Sequence, residues 1–362
     1  MKWETSISQI ISYRLDSYPA DYCQWVFHDK IQSYELKGLV RLPMKPGNIF
    51  IHHDGALGDT LLSLPCIDVI RESAAHVHIV GRRDVVHFLK EAGIADEVSS
   101  ADSQLYSPLY TETLDEEMKS FLSGFDESFV FTSNTESQFV KNIRSVIPVT
   151  RAILTIPPEA GTEHAAEFRV KQCGYGKDIV RRTIMIRIRK REMIWVAEFL
   201  REKGYAPAER CLITVHPGSG GKKKCWPLAN YAALIRCFVK DPRILCIVFT
   251  GPDEDAETVQ MLEQLARSDK SIAHVQDAPL IRIAALFERS DFYIGNDSGI
   301  SHLAGIMKRR GMVLFGPTNP RLWRPLSDML EVLNFDDGNQ SVIAEQIHMR
   351  VKKLFSAQGD EP

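Results

Sequence analysis

Two segments of this chain combine glycines with a carboxylate where a strand gives way to a helix. The first is Gly55-Ala56-Leu57-Gly58-Asp59-Thr60-Leu61-Leu62-Ser63-Leu64-Pro65. The second, about 240 residues later, is Gly295-Asn296-Asp297-Ser298-Gly299-Ile300-Ser301-His302-Leu303-Ala304-Gly305. A helix start presents unpaired N–H groups and partial positive charge, so the second turn suits an anion. Gly299 would let a phosphate approach the backbone. Asn296, Asp297 and Ser298 are also good N-caps, and plain capping accounts for the turn equally well. Asp59 falls in the opening turn of its helix, where it either complements the helix dipole or acts as a general base. Two such turns, in two halves of one chain, predict a reaction centre between two domains.

A third segment strengthens the anion reading. His216-Pro217-Gly218-Ser219-Gly220-Gly221-Lys222-Lys223-Lys224-Cys225-Trp226-Pro227 lies between a predicted strand and a predicted helix. Its glycines and Ser219 can wrap an anion, and three lysines add charge. It lacks the Gly-Lys-Ser/Thr ending of a Walker loop. A solvated basic loop is the plainer reading of the lysines alone. Paired with the Ser298 turn, the loop predicts a diphosphate-bearing ligand on the C-terminal half. No His/Cys spacing suggests metal ligands, and His302 reads as a packing residue inside its helix.

The elements that would position these residues alternate in type. Ile49–Ile51, His76–Val80, Phe129–Phe131 and Ala152–Leu154 read as strands, with helices at Leu57–Ile70 and Val85–Ala92. Residues 99–125 are less legible, with a helix at Thr113–Leu122. Pro65 should kink or split its helix. After a helix at Glu192–Lys203, ended by Gly204, the alternation restarts with strands at Cys211–Val215, Ile244–Phe249, Ile272–Val275, Phe292–Ile294 and Met312–Phe315. Their helices span Leu228–Val239, Ala256–Ala266, Pro279–Glu288 and Ile300–Met307, and a tail helix spans Val342–Phe355. This order predicts an α/β protein of two doubly wound Rossmann-like domains facing a central cleft, with ligands at the carboxyl ends of strands. The predicted divisions are a helical N-terminal extension (1–46), an N-terminal domain (47–190), a C-terminal domain (191–340) and a C-terminal helix (341–362).

Composition bounds the class. A length of 362 residues, 44% hydrophobic and 25% charged, suits two globular domains. A net charge of −3 gives no general argument for nucleic acid as a partner. No run approaches a membrane span, and Glu4, Arg14 and Asp16 interrupt any signal-peptide core. Seven cysteines without regular spacing read as free thiols in a reducing cytoplasm.

Gly55 to Pro65, His216 to Pro227, Thr250-Gly251-Pro252-Asp253-Glu254, and Gly295 to Gly305 followed by Phe315-Gly316-Pro317-Thr318-Asn319-Pro320 resemble the heptosyltransferase family. These are the ADP-heptose:lipopolysaccharide glycosyltransferases of family 9, with the GT-B fold. The resemblance runs in order and spacing over roughly residues 48–345, and more loosely includes His164 to Gly174.

The resemblance implies an inverting, metal-independent transfer of heptose from ADP-heptose, with no cofactor beyond the donor. The donor would bind the C-terminal domain and a lipopolysaccharide inner-core acceptor the N-terminal one. Asp59 would be the catalytic base, Lys224 would contact donor phosphate and Asp297 the donor sugar. Backbone amides of Ser298, Gly299 and Ile300 would hold the diphosphate, with Ser219 as a further donor. Gly251 and Glu254 mark the nucleoside turn. His53, Gly58, Arg181 and Arg182 fall on the acceptor side. A cytoplasmic enzyme is implied, with peripheral contact at the inner membrane face as an option.

Two departures suggest an altered acceptor. His53 stands where the family has an arginine, so positive charge there should depend on pH. About 46 residues also precede the first strand. The basic stretch from Arg181 to Arg191 either meets anionic sugars or membrane, or is a solvated linker. A sugar-nucleotide epimerase of the same fold and a non-catalytic sugar-nucleotide-binding protein are the competing readings.

Overall fold

Short apolar runs become the inner strands of two parallel sheets. A computed structural model describes residues 47–158, 161–335 and 340–356. The two short helices and linker expected within residues 1–46 lie outside the described residues.

The first sheet contains β1 (Asn48–His53), β2 (His76–Gly81), β3 (Glu97–Ser100), β4 (Glu127–Thr132) and β5 (Val149–Leu154) in the order β3-β2-β1-β4-β5. Its helices are α1 (Leu57–Ser73), α2 (Arg83–Glu91), α3 (Glu116–Leu122), α4 (Gln138–Val146) and α5 (Ala165–Gln172). Helix α6 (Lys190–Glu202) leads to the second half. There the strands are β6 (Cys211–His216), β7 (Ile244–Thr250), β8 (Ile272–Gln276), β9 (Phe292–Asn296), β10 (Gly311–Phe315) and β11 (Leu330–Asn334). Their order is β11-β10-β9-β6-β7-β8, and the pairs in both sheets are parallel. Helices α7 (Leu228–Phe238), α8 (Ala256–Ser268), α9 (Leu280–Phe287), α10 (Gly299–Ile306), α11 (Pro320–Trp323) and α12 (Gln340–Ser356) complete it.

Each sheet reverses its winding beside its first strand, between β1 and β4 and between β6 and β9. Such switch points leave a crevice at the carboxyl edge of the sheet. The loop after β1 leads to Asp59, the loop after β6 to Ser219, and the turn after β9 to Ser298. Every residue of β6 and β7 is buried, as strands covered on both faces require. One apolar cluster runs from Ile49 and Ile51 through Leu61 and Leu64 to Leu245 and Phe249 of the second sheet. The other face of the first sheet packs Phe50, Tyr106, Leu109, Val130 and Phe139.

Several expectations need correction. Helix α1 runs through Pro65 without a break, because residues 60–67 are buried and their packing holds the helix despite the missing N–H. Cys66 and Cys173 are not free thiols: they form a disulfide between α1 and the end of α5, 107 residues apart in sequence. Sequence spacing could not show that those two helices pack together. The bond also removes the support that free thiols gave to a reducing compartment. Cys211, Cys225, Cys237 and Cys246 are free. The illegible region holds β3, a 3-10 segment at Gln104–Tyr110 and α3. Helix α4 and strand β11 had no counterpart in the sequence reading. Among the described residues, no helix is long and apolar enough to cross a membrane.

Candidate active site

The Asp59 turn is built from the end of β1. His53 is 1% exposed, and its Nδ1 accepts a hydrogen bond from the Gly55 amide at 3.2 Å. The proton therefore sits on Nε2, which donates to Ser63 Oγ at 3.0 Å. Burial, with the nearby Arg169 cation second, holds the His53 pKa well below its usual value. His53 is thus a neutral core residue, and the expectation of a pH-dependent positive charge in its place is corrected.

Asp59 stands in the first turn of α1 and is held by a residue that the sequence reading passed over. Arg169 of α5 is 0% exposed. Its Nη2 donates to Asp59 Oδ1 at 3.0 Å and its Nη1 to the Asp59 carbonyl and to Ser63 Oγ. Nε and Nη2 both donate to the Thr155 carbonyl. Five bonds use the five guanidinium N–H groups, the condition under which a buried cation is tolerated. Burial lowers the Arg169 pKa and Asp59 opposes that shift, so the group stays charged. Asp59 itself is 40% exposed in its side chain. Among the described residues, its second oxygen makes no hydrogen bond.

The facing wall belongs to the second sheet. Asn296, 0% exposed, accepts from the Trp226 amide at 3.0 Å and the Tyr231 hydroxyl at 2.9 Å. Its side-chain amide donates to the Pro217 carbonyl at 2.6 Å, so one residue ties the glycine-lysine loop to β9. Ser219 Oγ donates to the Asp297 carbonyl at 2.6 Å. Lys224 Nζ lies 3.0 Å from Asp297 Oδ2, pairing a half-exposed ammonium with a buried carboxylate. Ser298 caps α10 through the Ser301 amide and meets His216 Nδ1 at 3.2 Å. Burial drops the His216 pKa to about 4, so this ring is neutral. The Glu254 side chain is 8% exposed, accepts from the Gly251 amide and stands 3.7 Å from His216 Nε2. Burial raises its pKa.

The two glycine turns meet directly. A Cβ on Gly58 would lie 3.0 Å from His302 Cδ2 and 3.6 Å from the Gly299 Cα, and a Cβ on Gly299 would lie 2.8 Å from Leu57 Cβ. Glycine is needed at both positions because two backbones approach there. His302 packs as expected, but against the opposite domain. Beside this seam lies a cavity of about 620 Å³, within the range of small-ligand sites. Gly58, Ser219, Gly251, Glu254 and Ser298 to Ile300 all line it. Residues of α2, among them Asp84, His87 and Glu91, close it from the first domain.

The structure does not bring the arginines to this point. Arg182 pairs with Glu72 at 2.6 Å, near the far end of α1 and about 20 Å along that helix from Asp59. Arg181 ends the neighbouring 3-10 segment, Lys177–Arg181. Arg191 pairs with Glu91 and Glu192. Among the described residues, no group of three or more His, Cys, Asp or Glu side chains is placed to share a metal ion.

Residues 190–350 match the family model described as glycosyltransferase family 9 (heptosyltransferase). Over 134 residues the chain is 29% identical to lipooligosaccharide heptosyltransferase 2 of Haemophilus influenzae, covering 36% of this chain and 38% of that protein. Over 141 residues it is 30% identical to lipopolysaccharide heptosyltransferase 2 of Escherichia coli K12, covering 37% and 39%. The matched stretch thus spans well under half of these relatives. The crystal structure of a family 9 glycosyl transferase from Veillonella parvula has a TM-score of 0.65 at 20% identity, covering 83% of this chain and 89% of that one. The E. coli ADP-heptose heptosyltransferase II structure has a TM-score of 0.65 at 14% identity, covering 83% and 98%. At these identities the structures speak for the fold, which is GT-B. The second half of the chain thus matches glycosyltransferase family 9 (heptosyltransferase), and both halves share the fold of these solved structures.

Proposed function

We propose that the chain transfers heptose from ADP-heptose to a sugar of a lipopolysaccharide core, with inversion at the anomeric carbon and without a metal ion. Residues 47–190 form the acceptor side and 191–340 the donor side. The observation that carries this reading is the arrangement around one cavity. Gly58, next in sequence to the anchored Asp59 carboxylate, lines one side, and the helix start at Ser298 with Ser219, which bonds to Asp297 and through it reaches Lys224, lines the other.

An alcohol is a weak nucleophile near neutral pH. Asp59 takes the acceptor hydroxyl proton as the new C–O bond forms and the bond to the diphosphate breaks. Charge then develops on the departing ADP. The amides of Ser298, Gly299 and Ile300 and the Lys224 ammonium stabilise it. Asp297 holds Lys224 in place before the donor arrives and faces the donor sugar afterwards. Gly251 and Glu254 meet the nucleoside. A lipid-linked acceptor would bring the enzyme to the inner face of the cytoplasmic membrane.

The test incubates the full chain with ADP-heptose alone, with lipid A carrying Kdo, and with the same core extended by heptose. Acceptor-dependent ADP release and a heptosylated product are expected. Conversion of the donor sugar without an acceptor would establish an epimerase instead. Tight ADP binding without turnover would establish a binding protein. Asp59→Asn should slow transfer by about 10²–10⁴-fold with ADP affinity unchanged. Full activity in that variant would remove Asp59 from the base role.

A further inference from the structure

On the opposite face of the first sheet from α1, an aromatic side chain is held out at the same carboxyl edge. Tyr110 ends the 3-10 segment Gln104–Tyr110 and is 57% exposed, unusual for a large ring. It is also fixed. The buried side-chain amide of Asn142 in α4 donates to the Leu109 carbonyl at 3.0 Å and the Thr111 carbonyl at 2.8 Å, on either side of Tyr110. Gln138 orients that amide by donating to Asn142 Oδ1 at 3.0 Å. Behind the ring, Phe139 lies 4.9 Å from Tyr110 between centroids, and His52 lies 4.3 Å from Phe139.

This is a pre-set surface and not a loose side chain. Exposed aromatic area held rigidly is characteristic of binding sites, because little freedom is lost when a ligand settles on it. The nearby charges say which ligand. Asp54, in the loop that leads to Asp59, acts on both His52 and Tyr110, and Asp102 also acts on Tyr110. Carboxylates accept hydrogen bonds from hydroxyl groups and repel carboxylate or phosphate. His52 is 4% exposed and lies behind the platform as part of its packing, out of reach of a ligand on Tyr110.

We propose that Tyr110, backed by Phe139 and His52 and flanked by Asp54, is a stacking subsite for an uncharged pyranose ring of the acceptor. The proposal rests on the transferase reading above and refines it. The ring seated on Tyr110 carries hydroxyls and no acidic group, so the acceptor unit at this subsite is a neutral sugar, for which a heptoside is the probe the transferase reading supplies. The loop from Asp54 to Asp59 then runs between this platform and the base.

The test uses the full chain and two small probes, the methyl glycoside of L-glycero-D-manno-heptose and the methyl glycoside of Kdo. Saturation-transfer NMR should show the heptoside ring protons against the protein, with the Kdo glycoside markedly weaker. Tyr110→Ala should weaken the heptoside roughly tenfold or more, and Tyr110→Phe should stay within about threefold of wild type. ADP affinity, measured by calorimetry, should be the same in all three proteins. An unchanged heptoside signal in Tyr110→Ala, no heptoside signal in wild type, or stronger binding of the Kdo glycoside would each overturn the subsite while ADP binding and transfer stand. Failure of wild type to bind ADP would overturn the transferase reading, and this subsite's role with it.

Discussion

Arg169 Nη2 and Asp59 Oδ1 lie 3.0 Å apart across 110 residues of sequence, the guanidinium wholly buried and the carboxylate 40% exposed. The asymmetry defines their roles. Arg169 has no route to solvent and cannot touch a substrate from behind Asp59. It fixes the carboxylate by both backbone and side chain and leaves the second oxygen without a hydrogen bond among the described residues.

Arg169→Met should therefore affect fold and turnover together. Deleting the buried guanidinium leaves the Asp59 and Thr155 carbonyls without its hydrogen bonds, at about 1–3 kcal/mol for each buried group left unsatisfied, so the thermal midpoint should fall sharply. In the protein that remains folded at low temperature, kcat should drop at least roughly tenfold, with donor KM within about twofold. Stopped-flow ADP release and differential scanning calorimetry read the two effects separately. Unchanged kcat in the folded fraction would rule out the positioning role.

Lys224→Met tests the phosphate wall. A hydrogen bond to a charged group contributes about 1.5–3 kcal/mol, so ADP affinity should fall roughly 10- to 100-fold. Titration calorimetry checks this. If ADP binds equally well, the Lys224–Asp297 pair is a structural bridge with no donor contact.

Gly299→Ala tests the seam between the glycine turns. The new methyl would meet Leu57 Cβ at 2.8 Å, and neither group is the free end of a flexible chain. The turns must separate, and a misplacement of about 1 Å can cost on the order of 10²-fold in rate. Transfer should slow by roughly that factor. The double variant Leu57→Gly/Gly299→Ala should recover most of it, and no recovery would assign the loss to something other than this contact.

The buried histidines set an acid limit on stability. Burial lowers His302 to about 3 and His216 and His52 to about 4. Their unfolded values sit near 6.5, so between these limits the unfolded chain binds more protons than the folded one. Stability is then full above about pH 6.5 and falls as pH drops toward 4, by up to about 1.4 kcal/mol per pH unit for each ring. Thermal midpoints between pH 4 and 8 should show this slope, and His302→Gln should flatten it. An identical slope in the variant would exclude His302 as a contributor.

Much of the fold and the candidate site is local enough to read from sequence. The Gly58-Asp59 and Asn296-Asp297-Ser298 turns carry their own strand, turn and helix signals within a dozen residues. The seam between them does not, because it depends on how two sheets pack. Arg169 was missed for a similar reason, although a signal existed. Ala166, Arg169, Val170 and Cys173 share the three- and four-residue spacing of the buried face of α5, so a cation falls on an apolar stripe. A charge in that place must have a partner, and the partner is 110 residues away. Tyr110 had no such signal: exposure and a clamp from Asn142 are properties of the folded chain. The pH-dependent charge expected of His53 rested on the family arginine it replaces, whereas its burial, shared with His52, depends on how the sheet is covered.

The disulfide between Cys66 and Cys173 gives the first domain one more property. It joins the helix that carries the base to the end of the helix that carries the guanidinium. Sliding of either helix past the other would stretch a covalent link before it broke the ion pair. Any separation of the two domains, such as the proposed transfer would need to admit its donor, carries Asp59 and Arg169 as one block. The yielding surface is then the glycine seam, where Leu57 and Gly58 lift away from Gly299 and His302 with no covalent bond to cross.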